Sequence, residues 1–345
     1  MKTHSITLEH LLQRHRAFWT MDEVDTPLLS VGKYVPLQHR KPFPLADGSP
    51  AQEGDFLLPE LVDTNLLLEQ SDEPGTVVNG DFINGRGLYD LCWTEAIAGC
   101  PIRWRGGHVW ADPFLDDTDD VDRLRVNEDN PWLAVLLEET RLRAEQAKGA
   151  YPIVQPLLRG PIDIASAVMG DEPLCWTMVD EPDHFRRLLE ACTDVFLAVA
   201  AAWRDATPVF QDGTCIYGIW APGTTVRMQA DNAALMSPDL YREFLLPCDA
   251  RISSVFEYPM IHTHSGVLHI MVDALLDLDS LSAIQVSLDY PAPPPIDELL
   301  PVLKQTNAHK PLIITGAVTQ HELDILLESL SPAGLCLQVG LRNEE

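Results

Sequence analysis

The run Tyr258-Pro259-Met260-Ile261-His262-Thr263-His264-Ser265-Gly266 decides how the rest of the chain is read. Its apolar opening predicts a buried strand, and Ser265-Gly266 predicts the turn that ends it. Strand side chains alternate between faces, so His262 and His264, two residues apart, point the same way and can share one ion or one anionic ligand. The segment Val267 to Leu278 then carries apolar residues at helical spacing. Strand, polar loop and helix make one unit of an α/β fold, and in such folds ligands bind at the carboxyl ends of the strands.

The same unit repeats on both sides. Downstream, the apolar runs Ala283 to Leu288, Pro311 to Ile314 and Leu335 to Val339 end in Asp289-Tyr290, Thr315-Gly316 and Gly340, with helical patterns over Ile296 to Gln305 and His321 to Leu330 between them. Upstream, Ser237-Pro238 opens a helix, serine as N-cap and proline at the first helical position. Helical patterns also cover Trp132 to Lys148, Asp163 to Met169 and Pro182 to Arg204, with expected strands at Tyr151 to Leu158 and Thr207 to Phe210. Strands alternating with helices describe a parallel sheet covered by helices. The expected fold is α/β, a (β/α)8 TIM barrel, with an open doubly wound sheet as the alternative. Residues 76–345 are expected to form the barrel. Residues 1–75, a first amphipathic helix over Ile6 to Trp19 followed by a Pro-, Asp- and Gly-rich stretch, are expected to be an irregular N-terminal extension packed on it. Pro27 to Val31 is read as a short strand in that extension, and Gly106-Gly107 as a hairpin turn.

The chain has 345 residues, 46% of them hydrophobic, enough for a large core. Fifty-two acidic residues against 24 basic ones give a net charge of −28, which repels nucleic acid backbones and anionic lipid. Neither is an expected partner. Without an apolar window of about 20 residues or a signal-peptide core, the expected location is cytoplasmic. The seven cysteines are scattered, without a Cys-x-x-Cys pair, and suit a reducing compartment. No Gly-x-Gly-x-x-Gly or phosphate-loop fingerprint is present, so no nucleotide cofactor is expected. The acidic run Asp116 to Asp122 lacks the glycine and terminal glutamate of a calcium loop and is read as a solvated helix start.

Two neutral imidazoles on one strand face can bind zinc, iron or manganese, with a third ligand drawn from Asp212, Cys215, Asp231 or Asp289. The bland reading stands beside it: one histidine bonded within the barrel, the other lining a cleft. Asp212 and Asp231 are the candidate catalytic carboxylates, although Asp212 before Gly213 is equally a turn residue. Arg159 and Arg227 are the cations that would grip a substrate carboxylate or phosphate. Tyr217, Trp220 and Tyr290 are candidates to stack on a flat ligand, with Asp289 beside them.

The strings Gly160-Pro161-Ile162-Asp163-Ile164-Ala165, Asp180-Glu181-Pro182 and Met236-Ser237-Pro238-Asp239-Leu240-Tyr241-Arg242-Glu243-Phe244-Leu245-Leu246-Pro247, in this order before His262-Thr263-His264-Ser265-Gly266, resemble the uroporphyrinogen decarboxylase superfamily. The resemblance covers about residues 132–340 and, more faintly, 88–124. The superfamily contains porphyrinogen decarboxylases and corrinoid-linked methyltransferases that pass a methyl group to a thiol such as coenzyme M. The resemblance implies a (β/α)8 barrel with a cleft at the strand ends. It further implies a metal-assisted methyl transfer, with zinc or another divalent ion on His262 and His264, a small-molecule substrate and a corrinoid protein as partner. Two departures stand out: His264 holds the position where the family often has cysteine, and the arginine-rich signature of the decarboxylases is not found in Leu28 to Arg40. Metal-independent decarboxylation of a porphyrinogen-like or smaller carboxylic acid and a non-catalytic ligand-binding barrel are the competing readings.

Overall fold

A computed structural model describes residues 7–35, 42–69, 77–115, 118–127, 129–289 and 293–343. The chain forms two compact units: Met1–Pro36, Thr76–Asn84 and Phe210–Glu345 make one, Leu37–Gly75 and Gly85–Val209 the other. This division differs from the expected boundary at residue 75, because the first strand lies inside the supposed extension and belongs to the main sheet.

The first unit is built on six strands, β1 (Leu28–Lys33), β2 (Thr225–Gln229), β3 (Tyr258–His264), β4 (Ala283–Leu288), β5 (Leu312–Val318) and β6 (Leu335–Leu341). Their order across the sheet is β1-β6-β5-β4-β3-β2, and every pairing is parallel. Each strand from β2 to β6 therefore lies beside its neighbour in sequence, and the last pairs with the first, an order that a (β/α)8 barrel shares, here in a six-stranded sheet among the described residues. The helices α1 (Leu8–Thr20), α2 (Leu268–Leu276), α3 (Ile296–His309) and α4 (Gln320–Ser329) belong to the same unit. Thr319 and Glu322 close a capping box at the start of α4.

One face of these strands has two layers. Met260, Ala283, Ile313 and Cys336, with Leu28, Phe18, Trp19 and Ile219, form a buried apolar cluster. Two residues further along each strand, on the same face by strand alternation, stand His262, Gln285, Thr315 and Gln338. The amino ends of the strands are packed with apolar side chains, and the carboxyl ends carry polar ones.

The helix opened by Ser237 and Pro238 widens to a π turn at Tyr241–Leu245 before continuing as Leu246–Ser253. Pro247 has no N–H for the regular i to i−4 bond, which favours such a widening. Within it the Tyr241 hydroxyl donates to the buried Asp249 at 2.7 Å.

The second unit holds the helices Pro131–Ala147, Pro161–Met169, Asp171–Asp180 and Pro182–Ala206, and an antiparallel sheet of Phe56–Leu57, Ile102–Arg105 and His108–Ala111. Gly106 and Gly107, both at positive φ, make the expected hairpin turn. The strand expected over Tyr151 to Leu158 is reduced to one parallel bridge between Ile153 and Arg86. Pro152 and Pro156 remove two of the N–H donors a ladder needs. Thr207 to Phe210, interrupted by Pro208, likewise forms no strand and ends in the Phe210–Gly213 bridge. In the acidic run, Asp120 and Asp122 pair with Arg123 and Arg125 on the 3-10 turn Thr118–Arg123, while Asp116 and Asp117 lie outside the described residues.

Candidate metal centre

β3 ends on His262 and His264, and the 3-10 turn Asp231–Leu235 follows closely on the end of β2. Because β2 and β3 are hydrogen-bonded neighbours, with His262 opposite Gln229, Asp231 reaches both histidines. Its Oδ1 lies 3.3 Å from His264 Nε2 and 3.9 Å from His262 Nε2. One ligand atom from each of the three residues lies within 4.8 Å of the others. Among the described residues this is the only such group of three or more.

The remaining polar atoms of the three side chains are tied down by neighbours. Gln285 Oε1 meets His262 Nδ1, and Gln285 Nε2 donates to Thr315 Oγ1 at 2.7 Å. Asp289 Oδ1 lies 2.5 Å from His264 Nδ1, while its Oδ2 accepts from Ser265 Oγ at 3.1 Å and from the Gly266 N–H at 3.3 Å. Gln229 Nε2 donates to Asp231 Oδ2, and Arg227 donates to Gln229 Oε1 at 2.6 Å. Both imidazoles are thus held at Nδ1 and turn Nε2 toward Asp231 Oδ1.

The two histidines differ electrostatically. Burial, with the nearby Arg227 charge, lowers His262 to about 4, against an opposing hydrogen bond to Gln285. His264 is half-buried, and its hydrogen bonds to Asp231 and Asp289 raise it to about 9. Burial works to raise Asp231, but the hydrogen bond and charge of His264 outweigh it and hold the carboxyl below its usual range.

A divalent ion fits this donor set. Imidazole nitrogens and carboxylate oxygens bound at about 2.0–2.2 Å in a tetrahedral arrangement stand roughly 3.3–3.6 Å apart, and the 3.3 and 3.9 Å separations bracket that range. Three protein ligands leave an open position. All seven cysteines are free and none belongs to the group, so the donors are nitrogen and oxygen.

The other expected site residues fall in several places. Asp289 and Arg227 join the centre through His264 and Gln229. Tyr217 sits at a hairpin tip with the Arg227 guanidinium 5.4 Å from its ring centre, and burial raises its phenol. Trp220 does not line a ligand surface: it is fully buried, its indole donates to Phe210 O at 2.8 Å, and its own N–H donates to His15 Nδ1 at 2.9 Å. An apolar core position next to short strands captured it. Asp212 is exposed, the second central residue of a tight turn with Gln211, both at positive φ. Gly213 follows because a Cβ there would lie 2.0 Å from Ala221 O. The turn reading of Asp212 is the one the structure supports. Cys215 is buried in the core, with its thiol pushed up to about 12 by desolvation. Arg159 belongs to the other unit, paired with the buried Glu95 at 3.1 Å. Tyr290 lies outside the described residues.

Sequence reading missed Gln229, Gln285 and Thr315. Their signal was present: Gln229 closes β2, and Gln285 and Thr315 are polar residues inside otherwise apolar strands, with Gln229 and Gln285 in register with His262.

Comparison with known proteins agrees with this architecture. A computed overlay on a methyltransferase from Methanosarcina mazei covers 96% of this chain and 93% of that one with a TM-score of 0.62 at 18% identity, a shared fold. A methylated-thiol–coenzyme M methyltransferase of Methanosarcina mazei is 26% identical over 200 residues, 55% of this chain and 47% of that protein, so the match spans about half the length of that relative. The family description "Uroporphyrinogen decarboxylase (URO-D)" matches residues 87–318, and with two thirds of its length covered the chain belongs to that family.

Proposed function

We propose that the chain is a metal-assisted methyltransferase that moves a methyl group from a corrinoid or similar donor to a thiol. The observation that carries this reading is the convergence of His262 Nε2, His264 Nε2 and Asp231 Oδ1 at the carboxyl ends of β2 and β3. The methyltransferase relatives support it. His262, His264 and Asp231 would hold zinc or another divalent ion, whose Lewis acidity would lower the pKa of an acceptor thiol toward neutral pH. His262 and His264 are oriented by Gln285 and Asp289, and Asp231 by Gln229 and Arg227. The thiol proton would pass to solvent, which reaches the site past the partly exposed His264 and Asp231 side chains. The sulfur then forms a bond to the methyl carbon as the bond from that carbon to its donor breaks, the electron pair staying with the donor.

A corrinoid protein is the proposed donor-bearing partner and a small thiol the acceptor. The charge of −28 argues against nucleic acid, and among the described residues no helix is long and apolar enough to cross a membrane. The test is elemental analysis of purified wild type against a His262→Ala/His264→Ala variant. About one zinc, iron or manganese per chain, lost in the variant, together with methyl transfer from a methylated corrinoid to coenzyme M by wild type, is the expected result. Wild type that takes up none of these ions would overturn the reading, and decarboxylation of small carboxylic acids would then be assayed.

A further inference from the structure

The hairpin of Thr214–Ile216 and Ile219–Ala221 turns on Tyr217 and Gly218, both at positive φ, 51° and 73°, as a type I′ turn requires. Asparagine, aspartate and glycine adopt that backbone most readily, and a bulky aromatic residue is an outlier there. The turn is held from outside. Gln338 Nε2 donates to Tyr217 O, the Ile83 N–H donates to Gly218 O at 2.9 Å, and the Trp19 indole donates to Trp220 O at 2.9 Å. Backbone strain of this kind persists only where the surroundings over-determine it, and it clusters at functional sites.

The Tyr217 side chain meets Arg227. The guanidinium carbon lies 5.4 Å from the ring centre, and the guanidinium donates a hydrogen bond to the phenol oxygen. Arg227 stands on β2 two residues before Gln229, on the same face of the strand, and is 7% exposed. A guanidinium carries only donors, so the end of Gln229 that meets Arg227 at 2.6 Å is its carbonyl oxygen. The amide nitrogen is thereby left for Asp231 Oδ2, and Oδ1 is left facing the two histidines.

We propose that Tyr217 is a positioning residue of the centre: the hairpin holds its ring and hydroxyl against Arg227, which fixes the Gln229 amide and, through it, the rotation of the Asp231 carboxylate. With little water around the guanidinium, ring and hydroxyl contacts decide where it rests. The consequence for metal affinity rests on the metal reading, whereas the chain of contacts is present without any ion and can be followed without one.

Hydrogen exchange of the Gln229 side-chain amide is followed by 15N NMR in the metal-free protein, its signal being assigned by its loss in Gln229→Met. Tyr217→Leu is expected to speed this exchange about 10-fold or more, as is Arg227→Met. Backbone amides of β4 should keep their wild-type rates, which a general loosening would not allow. The double variant should exchange no faster than Arg227→Met alone, because Tyr217 acts through Arg227. In parallel, competition against a chromophoric chelator should show zinc affinity falling about 10-fold or more in Tyr217→Leu, with the same non-additivity toward Arg227→Met.

Wild-type exchange of the Gln229 amide in Tyr217→Leu overturns the inference, as do effects of the two substitutions that multiply in the double variant. Faster exchange with zinc bound as tightly as by wild type overturns it too. If the exchange behaves as stated but wild type binds no metal, the Tyr217 relay stands and the metal reading falls. Should Arg227→Met fail to fold, Tyr217→Phe takes its place: keeping the ring and losing the hydroxyl, it is expected to exchange at a rate between wild type and Tyr217→Leu. Wild-type rates in both Tyr217 variants overturn the inference.

Discussion

The amino and carboxyl ends of the same four strands, β3 to β6, make different use of one backbone. Met260, Ala283, Ile313 and Cys336 form part of an apolar cluster sealed by α1, while His262, Gln285, Thr315 and Gln338, two residues on, build a hydrogen-bonded polar layer beside Asp231. The first layer gains from every apolar contact, and the buried His15 at its edge is accepted with both ring nitrogens hydrogen-bonded. The second buries polar atoms, each of which needs a partner, and its side chains are held for orientation at some cost in stability. Stability should therefore be concentrated at one end of the strands and chemistry at the other.

The largest expected effect breaks the apolar layer. Met260 is fully buried in the cluster, and Met260→Ala is expected to cost about 2–5 kcal/mol of unfolding free energy by urea titration. Metal uptake by the molecules that remain folded should be unchanged. A cost under about 1 kcal/mol would show that the cluster is not the stabilising layer.

Acid should test both layers together. His15, wedged in the apolar end with Nε2 on Asp81 O at 2.7 Å, is lowered to about 4 by burial, as is His262 in the polar end. In both the folded pKa lies below the ordinary value of 6.5, so the unfolded chain takes up the proton first. Stability is then lost as pH falls from about 6.5 toward 4, by on the order of 3 kcal/mol for each histidine. Asp249 works the other way: desolvation raises it to about 7, so its folded form favours the proton and its contribution declines as pH rises from 3.8 to 7. The histidine contributions are isolated by comparing melting temperature against pH for wild type, His15→Gln and His262→Gln, each variant being expected to flatten the acid limb. A variant with the wild-type slope would remove that histidine from the account.

The smallest effect sharpens the boundary of the polar layer. Asp212 precedes β2 closely in sequence but sits exposed in a turn at φ 59°. Asp212→Gly relieves the left-handed backbone and adds unfolded-state freedom, so stability should stay within about 0.5 kcal/mol of wild type. Metal content should not change; its loss would return Asp212 to the site.

Legibility followed the same division. The β3 to β6 segments were readable because strand and helix periods differ and each apolar run ends in a polar or glycine residue; Ala283–Leu288 matches its expected limits. β1 was sensed as a short strand at Pro27 to Val31, but its pairing with β6 joins residues about 300 apart in sequence, and no local pattern encodes that. Proline misled the reading at Tyr151 to Leu158 and Thr207 to Phe210, where apolar character suggested strands that lack the donors to form.

By itself the sequence determined the alternation of strands and helices, the shared face of His262 and His264, the acidity of the surface and the absence of cysteine from the histidine pair. Periodicity, charge and spacing are local properties and can be counted along the chain. The tertiary structure alone brought Asp231 within reach of both histidines, moved Trp220 into the core and Asp212 onto a turn, and set Gln229 against Asp231 and Gln285 between His262 and Thr315. Those choices depend on which strands lie side by side and in what register. That register is decided by burial of the apolar layer at the far end of the same strands.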